Sequence, residues 1–367
     1  MDRSLLERTL ADLGEPGYRA AQAVRAHGRG GRGYEELTTW PAALRSRVAA
    51  AVPWSTLAAD RRQESRDGTV KVSWRTADAR PLESVLMRYR DGRRTVCVSS
   101  QSGCPLTCRF CATGTMAFGR NLTAAEIVDQ VAAFNADLAP GGERVTNVVF
   151  MGMGEPFLNY DSVIAAARAL NDPQATGIAA RQIAISTVGW VPGIRRLAEE
   201  PLQLHLALSL HAADDALRSE LMPVNDRYPL REVLAACREY LARRRRRIFV
   251  EVCLMDGVND GPEHARAMAA VLAGGGFAVN AIPHNPTGLG FEPSPPERVH
   301  AFVRALRARG VPATVRHTFG RDISAACGQL VTAGARPDRR HAASSSGSVT
   351  RNVEPKPSTD SAVAAPP

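Results

Sequence analysis

Residues 104–111 read CPLTCRFC, and this stretch decides how the rest of the chain is interpreted. Three thiols in one short loop are typical of metal ligands, because cysteines that only fill a core are scattered at helix or strand spacing. Thiolates are soft donors that suit zinc or iron–sulfur clusters. Structural zinc needs a fourth ligand, but the nearest other cysteine is Cys97 and the first histidine downstream is His205. Three cysteines can instead hold three irons of a four-iron cluster, which leaves the fourth iron open to bind a reactant.

The composition indicates one sizeable globular domain with accessory segments. The chain has 367 residues, of which 44% are hydrophobic and 23% are charged, so it can bury a substantial core. Its formal net charge of +9 favours an anionic partner, nucleic acid before membrane. No apolar run approaches the ~20 residues of a membrane span and the N-terminus lacks a signal-peptide pattern. We therefore expect a cytoplasmic protein, and the seven cysteines argue for thiol or cluster chemistry rather than disulfides.

The order of the predicted elements indicates an α/β fold. Short β-branched segments alternate with amphipathic helical stretches between residues 94 and 319. Repeated strand–helix units imply a parallel sheet with right-handed crossovers, either a barrel or an open twisted sheet. We predict strands at residues 95–100, 146–151, 182–187, 204–210, 248–255, 278–283 and 313–317, and helices near residues 123–138, 160–171, 192–199, 229–243, 261–273 and 295–309.

Four segments are predicted along the chain. Residues 1–52 have helical periodicity and are expected to form a small accessory domain that binds RNA. Residues 53–93 are a β-hairpin extension with an Asp-Gly turn, and residues 94–333 carry the α/β core. Residues 334–367 are rich in Ser, Pro and Ala without apolar periodicity, so we predict a disordered tail.

Polar and glycine residues follow several of the predicted strands. Sheets of this kind bind ligands at the carboxyl ends of their strands, and the cysteine loop follows the first strand of the core. Each residue alone is also compatible with turn formation or capping, but their succession beside the cysteine loop favours a ligand site. Glycines allow close backbone approach, and a carboxylate can meet an ammonium group. The expected ligand contacts are Gly154, Glu155, Ser186, Ser209, Leu210, His211 and Asn285.

The remaining cysteines and one run of arginines are interpreted separately. Cys237 and Cys253 fit a helix face and a strand interior, so core packing is the simplest interpretation. Cys97 ends a predicted strand and Cys327 lies in a loop past the last one, so a closed barrel would bring these thiols together across its mouth. The arginines at 243–247 lie between a helix end and a strand start, on the opposite face, and we interpret them as solvated or structural.

The spacing Cys-x-x-x-Cys-x-aromatic-Cys resembles the signature of the radical S-adenosylmethionine (SAM) enzymes. Further motifs resemble one family among them, the radical SAM RNA adenine methyltransferases (the RlmN/Cfr family), and are closest to its RlmN-type 23S rRNA adenine C2-methyltransferases. This resemblance extends over most of residues 10–332. The motifs are CVSSQSGCPLTCRFC (97–111), FMGMGEPFLNYD (150–161), ISTVG (185–189), ALSLHA (207–212), IPHNP (282–286) and RDISAACGQL (321–330).

The resemblance implies a partial (β/α)6-type radical SAM barrel with two cofactors. A [4Fe-4S] cluster would be bound by Cys104, Cys108 and Cys111, and SAM would chelate the open iron. Phe110 would pack near the adenine of SAM. The implied partners are RNA and an electron donor such as flavodoxin or ferredoxin, and the protein is expected to be a monomer without membrane association.

The resemblance also implies a two-stage mechanism, with C2 of a 23S rRNA adenine (adenine 2503 type) as the target and adenine 37 of tRNA as a further candidate. One SAM would methylate Cys327, and a radical from a second SAM would activate that methyl group for addition to the base. Glu83 would remove a proton from the protein–RNA adduct. Cys97 would release the product through a transient disulfide with Cys327.

Two alternatives stay open from the sequence. The first is methylation of the same adenine at C8, as in Cfr-like enzymes that confer antibiotic resistance. The second belongs to another class: a zinc-containing RNA-binding module without catalytic activity.

Overall fold

The computed structural model describes residues 1–331, so the tail predicted at residues 334–367 lies outside the described residues. Ten α-helices are found in the described part of the chain. They are α1 (Arg3–Asp12), α2 (Tyr18–Gly28), α3 (Ala42–Ala51), α4 (Ala124–Leu138), α5 (Tyr160–Asn171), α6 (Val191–Glu199), α7 (Asp215–Leu221), α8 (Leu230–Arg244), α9 (Pro262–Val271) and α10 (Pro296–Arg307).

Twelve strands are found in the same range, and ten of them form one sheet. They are β1 (Leu57–Glu64), β2 (Val70–Thr76), β3 (Pro81–Arg88), β4 (Arg94–Cys97), β5 (Gln101–Ser102), β6 (Arg120–Asn121), β7 (Asn147–Phe150), β8 (Ile183–Thr187), β9 (His205–Ser209), β10 (Ile248–Leu254), β11 (Phe277–Pro283) and β12 (Ala313–Val315).

The large sheet has an antiparallel and a parallel half. Its strand order is β1-β2-β3-β4-β7-β8-β9-β10-β11-β12, and β5 pairs only with β6. Neighbours from β1 to β4 are antiparallel, whereas neighbours from β4 to β12 are parallel. The parallel half confirms the predicted α/β core, with each of the seven predicted strands and six predicted helices in its place. The hydrogen-bonded sheet is not closed, because β4 pairs with β3 and β7 while β12 pairs with β11.

Four elements of the structure were not identified from their own sequence: β1, the two-residue strands β5 and β6, and α7. Strand β1 is exposed along most of its length, so it lacks the apolar alternation from which strands are inferred. Helix α7 has only seven residues, too few for a helical period to be evident. The predicted Asp-Gly turn is present, and it joins β1 to β2.

The first three helices pack around a hydrophobic cluster of their own. Leu6 of α1, Ala23 of α2 and Val48 of α3 are fully buried in it together with Trp40. These helices contact the core through α4, where Asn135 Nδ2 donates to the carbonyl of Gly28 at 2.9 Å. The division of the chain into domains at residues 52, 93 and 333 stays a prediction.

The arginines at 243–247 lie at the end of the sheet opposite the cysteine loop. Arg243 Nη1 donates to Glu199 at 2.6 Å, Arg246 Nη1 donates to the carbonyl of Gln203 at 2.7 Å, and Arg244 donates to the carbonyl of Leu202. These contacts support the structural interpretation of the run. In the part of the chain that the structure describes, none of the helices has the length and apolar character needed to cross a bilayer.

Candidate active site

The cysteine loop lies past the carboxyl end of β4 and forms one wall of a deep pocket. Backbone bonds hold it in place, because the Cys111 amide donates to the Cys108 carbonyl at 3.1 Å and the Ala112 amide donates to the Gly328 carbonyl at 2.7 Å. The second bond ties the loop to the segment that carries Cys327. Cys104, Cys108 and Cys111 all line this pocket, which we call the main pocket.

Burial raises the pKa of all three thiols. The pKa of Cys104 rises to about 12, that of Cys108 rises well above its ordinary value, and that of Cys111 is also raised. For Cys108 the negative charges of the two other thiolates add to the effect of burial. The three thiolates therefore need a cationic group among them to stay ionised, as metal coordination provides.

The donor set fits a multi-iron cluster. Within residues 1–331 no three His, Cys, Asp or Glu side chains converge on a single point where one metal ion would be held. A four-iron cluster instead takes one thiolate at each of its separate corners. Three soft sulfur donors in one loop thus suit such a cluster better than the closed four-ligand site of structural zinc.

The main pocket lies beside the cysteine loop. About 1000 Å³ of empty space, which includes open solvent at the mouth, lies within its walls. Most of the expected ligand contacts line it, at the carboxyl ends of β7, β8 and β9. They are Phe110, Gly154, Glu155, Ser186, Ser209 and His211.

Glu155 is a buried carboxyl group between two backbone amides. The amides of Phe157 and Val188 donate to it at 3.0 and 2.9 Å. Burial raises its pKa to about 7, against the effect of these hydrogen bonds. Gly154 precedes it with φ +97°, and a Cβ there would come within 2.6 Å of the Gln101 side chain. The backbone at this point therefore requires glycine.

Ser186, Ser209 and His211 also line the main pocket. The two hydroxyls lie 3.3 Å apart. His211 packs edge-on against Phe110 with ring centroids 4.7 Å apart, and its Nδ1 accepts from the Cys253 amide at 3.0 Å. Burial lowers the pKa of His211 to about 3. The imidazole is therefore neutral, and it presents a fixed polar edge beside an aromatic ring.

Two expected contacts do not line the main pocket. The Leu210 side chain is fully buried in the core. Its backbone amide donates to the backbone carbonyl of Glu251, and its carbonyl accepts from Arg218 Nε. Asn285 lines a smaller neighbouring pocket, which we call the thiol pocket. Its Nδ2 donates to the Cys327 carbonyl at 3.2 Å, so it positions the loop of that cysteine.

The structure brings Cys97 and Cys327 to the thiol pocket, although the sheet does not close. Cys327 also lines the main pocket, so it connects the two. The pKa of Cys97 is raised to about 12 by burial and by the nearby charge of Cys327, and the cation of Arg316 opposes both effects.

Arg316 is a residue that the sequence analysis missed. It follows β12, lines both pockets, and donates to Glu251 Oε2 on β10 at 3.2 Å. The charges of Cys327 and Glu251 hold the pKa of Arg316 above its ordinary value. Polar residues that follow strands are expected to line the mouth of the sheet, and Arg316 meets that expectation. An arginine after a short strand is more often exposed on the surface, however, so the sequence alone does not single out Arg316.

Glu83 lies on β3, beside the thiol pocket and not in its lining. It is almost fully buried and forms an ion pair with Lys71 at 3.5 Å. Ser73 Oγ and the Val331 amide donate to its two oxygens at 2.9 and 3.1 Å. Burial raises its pKa, and Lys71 opposes the rise. Cys253, which we assigned to the core, also lines the main pocket.

Comparisons with known proteins agree with this geometry. Residues 98–269 match the model of the radical SAM superfamily. A probable dual-specificity RNA methyltransferase RlmN from Heliobacterium modesticaldum is 49% identical over 329 residues, which cover 88% of this chain and 86% of the relative. The chain belongs to the RlmN family. A protein of the same description from Gemmatimonas aurantiaca is 48% identical, with 90% of each chain covered.

A solved structure supports the same family. The crystal structure of a radical SAM methyltransferase from Sphaerobacter thermophilus superimposes with a TM-score of 0.86 at 46% identity, over 90% of this chain and 97% of that one. The predicted family, fold class and enzyme class are thereby confirmed. This chain is a radical SAM methyltransferase of the RlmN family.

Proposed function

We propose that this enzyme methylates C2 of an adenine in 23S rRNA, of the adenine 2503 type, and that adenine 37 of tRNA is a second substrate. The observation that supports the proposal is the position of Cys327. Its loop is hydrogen-bonded to the cysteine loop, and the residue lines both the main pocket and the thiol pocket. A methyl group carried on this sulfur would lie between the SAM site and Cys97.

The main pocket would hold both cofactors. Cys104, Cys108 and Cys111 would bind a [4Fe-4S] cluster, which supplies the electron that cleaves SAM reductively. Glu155 would bind the ammonium group of SAM, and the hydroxyls of Ser186 and Ser209 would bind its polar groups. Phe110, packed edge-on against His211, would provide an apolar surface for the adenine.

Cys327 would act as the methyl carrier. Its thiolate attacks the methyl carbon of SAM, a sulfur–carbon bond forms, and the bond from carbon to the sulfonium breaks with release of S-adenosylhomocysteine. Arg316 lines both of the pockets that Cys327 lines. A second SAM, cleaved reductively, would take a hydrogen atom from the S-methyl group as its 5′-deoxyadenosyl radical. The methylene carbon would then bond to the base, the displaced ring proton would pass to Glu83, and one electron would return to the cluster. The adenine would remain attached to Cys327 through the new methylene group.

Glu83 and Cys97 would complete the reaction. Burial raises the pKa of Glu83 above its ordinary value, as suits a carboxylate that takes a proton from the adduct. Cys97 attacks the sulfur of Cys327, a disulfide forms, and the bond from that sulfur to the methylene carbon breaks. The carbon takes a proton to give the methylated base, and a cellular dithiol reduces the disulfide.

The cellular setting follows from the same proposal. We place the enzyme in the cytoplasm, as a monomer that receives electrons from a small donor such as flavodoxin or ferredoxin. The basic composition suits an RNA partner.

The test is modification mapping in cells with and without the gene. Mass spectrometry of nucleosides from 23S rRNA and tRNA should show 2-methyladenosine only in cells with the gene. An 8-methyladenosine product would establish the Cfr-like reaction instead. Loss of neither nucleoside, together with stoichiometric zinc in the purified protein, would establish the non-catalytic module.

A further inference from the structure

The antiparallel half of the sheet continues the surface of the thiol pocket outward. Residues paired across antiparallel strands point to the same face, as do residues two apart on one strand. Cys97 pairs with Val85, Glu83 pairs with Ser73, and Ser73 pairs with Arg61. The face shared by these residues, which we call the Cys97 face, consists of Arg61, Gln63, Lys71, Ser73, Arg75, Glu83, Val85 and Cys97.

Side-chain contacts agree with this assignment. Ser73 and Lys71 both reach Glu83, at 2.9 and 3.5 Å. The segment around Cys327 covers the inner part of the face, because Lys71 Nζ donates to the Ser324 carbonyl at 3.1 Å and the Val331 amide donates to Glu83. The outer part, with Arg61 and Arg75, is exposed.

The exposed part carries positive charge that is available to a ligand. Among residues 1–331, no acidic side chain forms an ion pair with Arg61. Arg75 pairs with Asp60 at 3.3 Å, with both side chains 47% exposed, and such surface pairs contribute at most about 1 kcal/mol. A phosphate could therefore replace Asp60 as the partner of Arg75 at little cost.

The separation between these arginines and the thiols suits an extended RNA strand. Three strand spacings separate β1 from β4, or about 14 Å. An adenine placed at the thiol pocket would leave its neighbouring nucleotides to run past the covering segment to the exposed outer part of the Cys97 face. Enzymes that modify a base usually extract it from the stack, which exposes the flanking backbone to the protein.

We propose that Arg61 and Arg75 bind the single-stranded phosphate backbone beside the target adenine. This inference rests on the proposed function, since it takes RNA as the substrate. The partner of this surface is RNA rather than the electron donor, because the face leads to Glu83 and the thiols where the base reacts.

The residue that follows Arg61 on β1, Arg62, provides a matched control. Arg62 pairs with Val72 and therefore points to the opposite face. There its Nε lies 3.6 Å from Asp137 of α4. Arg61 and Arg62 are thus adjacent, exposed arginines of one strand that differ in the face they occupy.

The experiment measures binding of the full-length, cluster-loaded enzyme to a fluorescent stem-loop RNA with the 23S rRNA target sequence, across a series of salt concentrations. The variants are Arg61→Ala, Arg75→Ala, the double variant and Arg62→Ala. Each lost phosphate contact on a single strand lowers the slope of log K against log salt by about 0.7. We expect that decrease for Arg61→Ala, about 1.4 for the double variant, and no change for Arg62→Ala.

Methylation kinetics provide the second readout. KM for RNA should rise in the double variant while kcat stays near the wild-type value, because neither arginine contacts the reacting atoms. Equal slopes for Arg61→Ala and Arg62→Ala would overturn the inference. So would a double variant that binds RNA normally but accepts electrons from flavodoxin more slowly. Failure of the wild type itself to bind this RNA would instead refute the proposed function.

Discussion

Replacement of Glu155 by Gln tests the electrostatics of the main pocket. Glu155 is buried in the wall of the main pocket, and burial raises its pKa from 4.5 to about 7. A carboxyl group with a raised pKa in the folded state stabilises the fold when it is protonated. Its contribution is therefore present below pH 4.5 and is lost as the pH rises through 7. A glutamine side chain has nearly the same shape as a protonated glutamate side chain, and it is neutral at every pH.

The size of this contribution to the free energy of unfolding follows from the change in the pKa of Glu155. One pKa unit corresponds to about 1.36 kcal/mol, so a rise from 4.5 to about 7 gives roughly 3 kcal/mol in full. In cluster-free protein, the free energy of unfolding of Glu155→Gln minus that of wild type should increase by roughly 2–3 kcal/mol between about pH 5 and pH 8. Urea unfolding followed by circular dichroism measures both proteins at each pH.

A second measurement separates the role in binding from the role in stability. A bound ammonium group favours the ionised carboxylate, so the affinity of wild type for SAM should fall as the pH drops below 7. The Gln variant should bind SAM weakly at every pH. Glu220→Gln, at an exposed ion pair with Arg109, is the control. A difference in unfolding free energy that does not vary with pH would refute the assigned pKa and its cause.

Two further predictions concern a thiol and the backbone. Cys97→Ala should accumulate a covalent enzyme–RNA species on denaturing gels, because the attack that releases the product is lost; free methylated RNA from this variant would contradict that role. Gly154→Ala should lower the free energy of unfolding by about 1–3 kcal/mol, because its Cβ would meet Gln101 at a positive φ; an unchanged unfolding curve would contradict this.

The parallel half of the sheet was predictable because most of its strands are largely buried on both faces. Such strands appear as short β-branched runs between amphipathic helices, and β8 and β10 began within a residue of the predicted positions. The exposed β1 has no such signal, since its pairing with β2 depends on tertiary context. The positions of the cysteine loop and of Glu155 were predictable, because the carboxyl ends of parallel strands lie at the same end of the sheet.

The rest of the site depends on how segments distant in sequence fold against each other. Arg316 lies next to Cys97 only because β12 and β4 curve toward the same pocket without pairing. Asn285 was assigned to the ligand, yet it contacts the Cys327 loop and Arg321. Lys71 was not identified as the partner of Glu83, because that pair depends on the register of β2 and β3.

The methyl carrier is the most direct test of the proposed reaction. Enzyme reconstituted anaerobically with iron and sulfide, then incubated with SAM and reductant, is digested and its peptides are analysed by mass spectrometry. We predict one added methyl group on the peptide that contains Cys327, which disappears when RNA is supplied, and no such group in a Cys327→Ala variant. An unmethylated Cys327 in a protein that still methylates RNA would contradict the account.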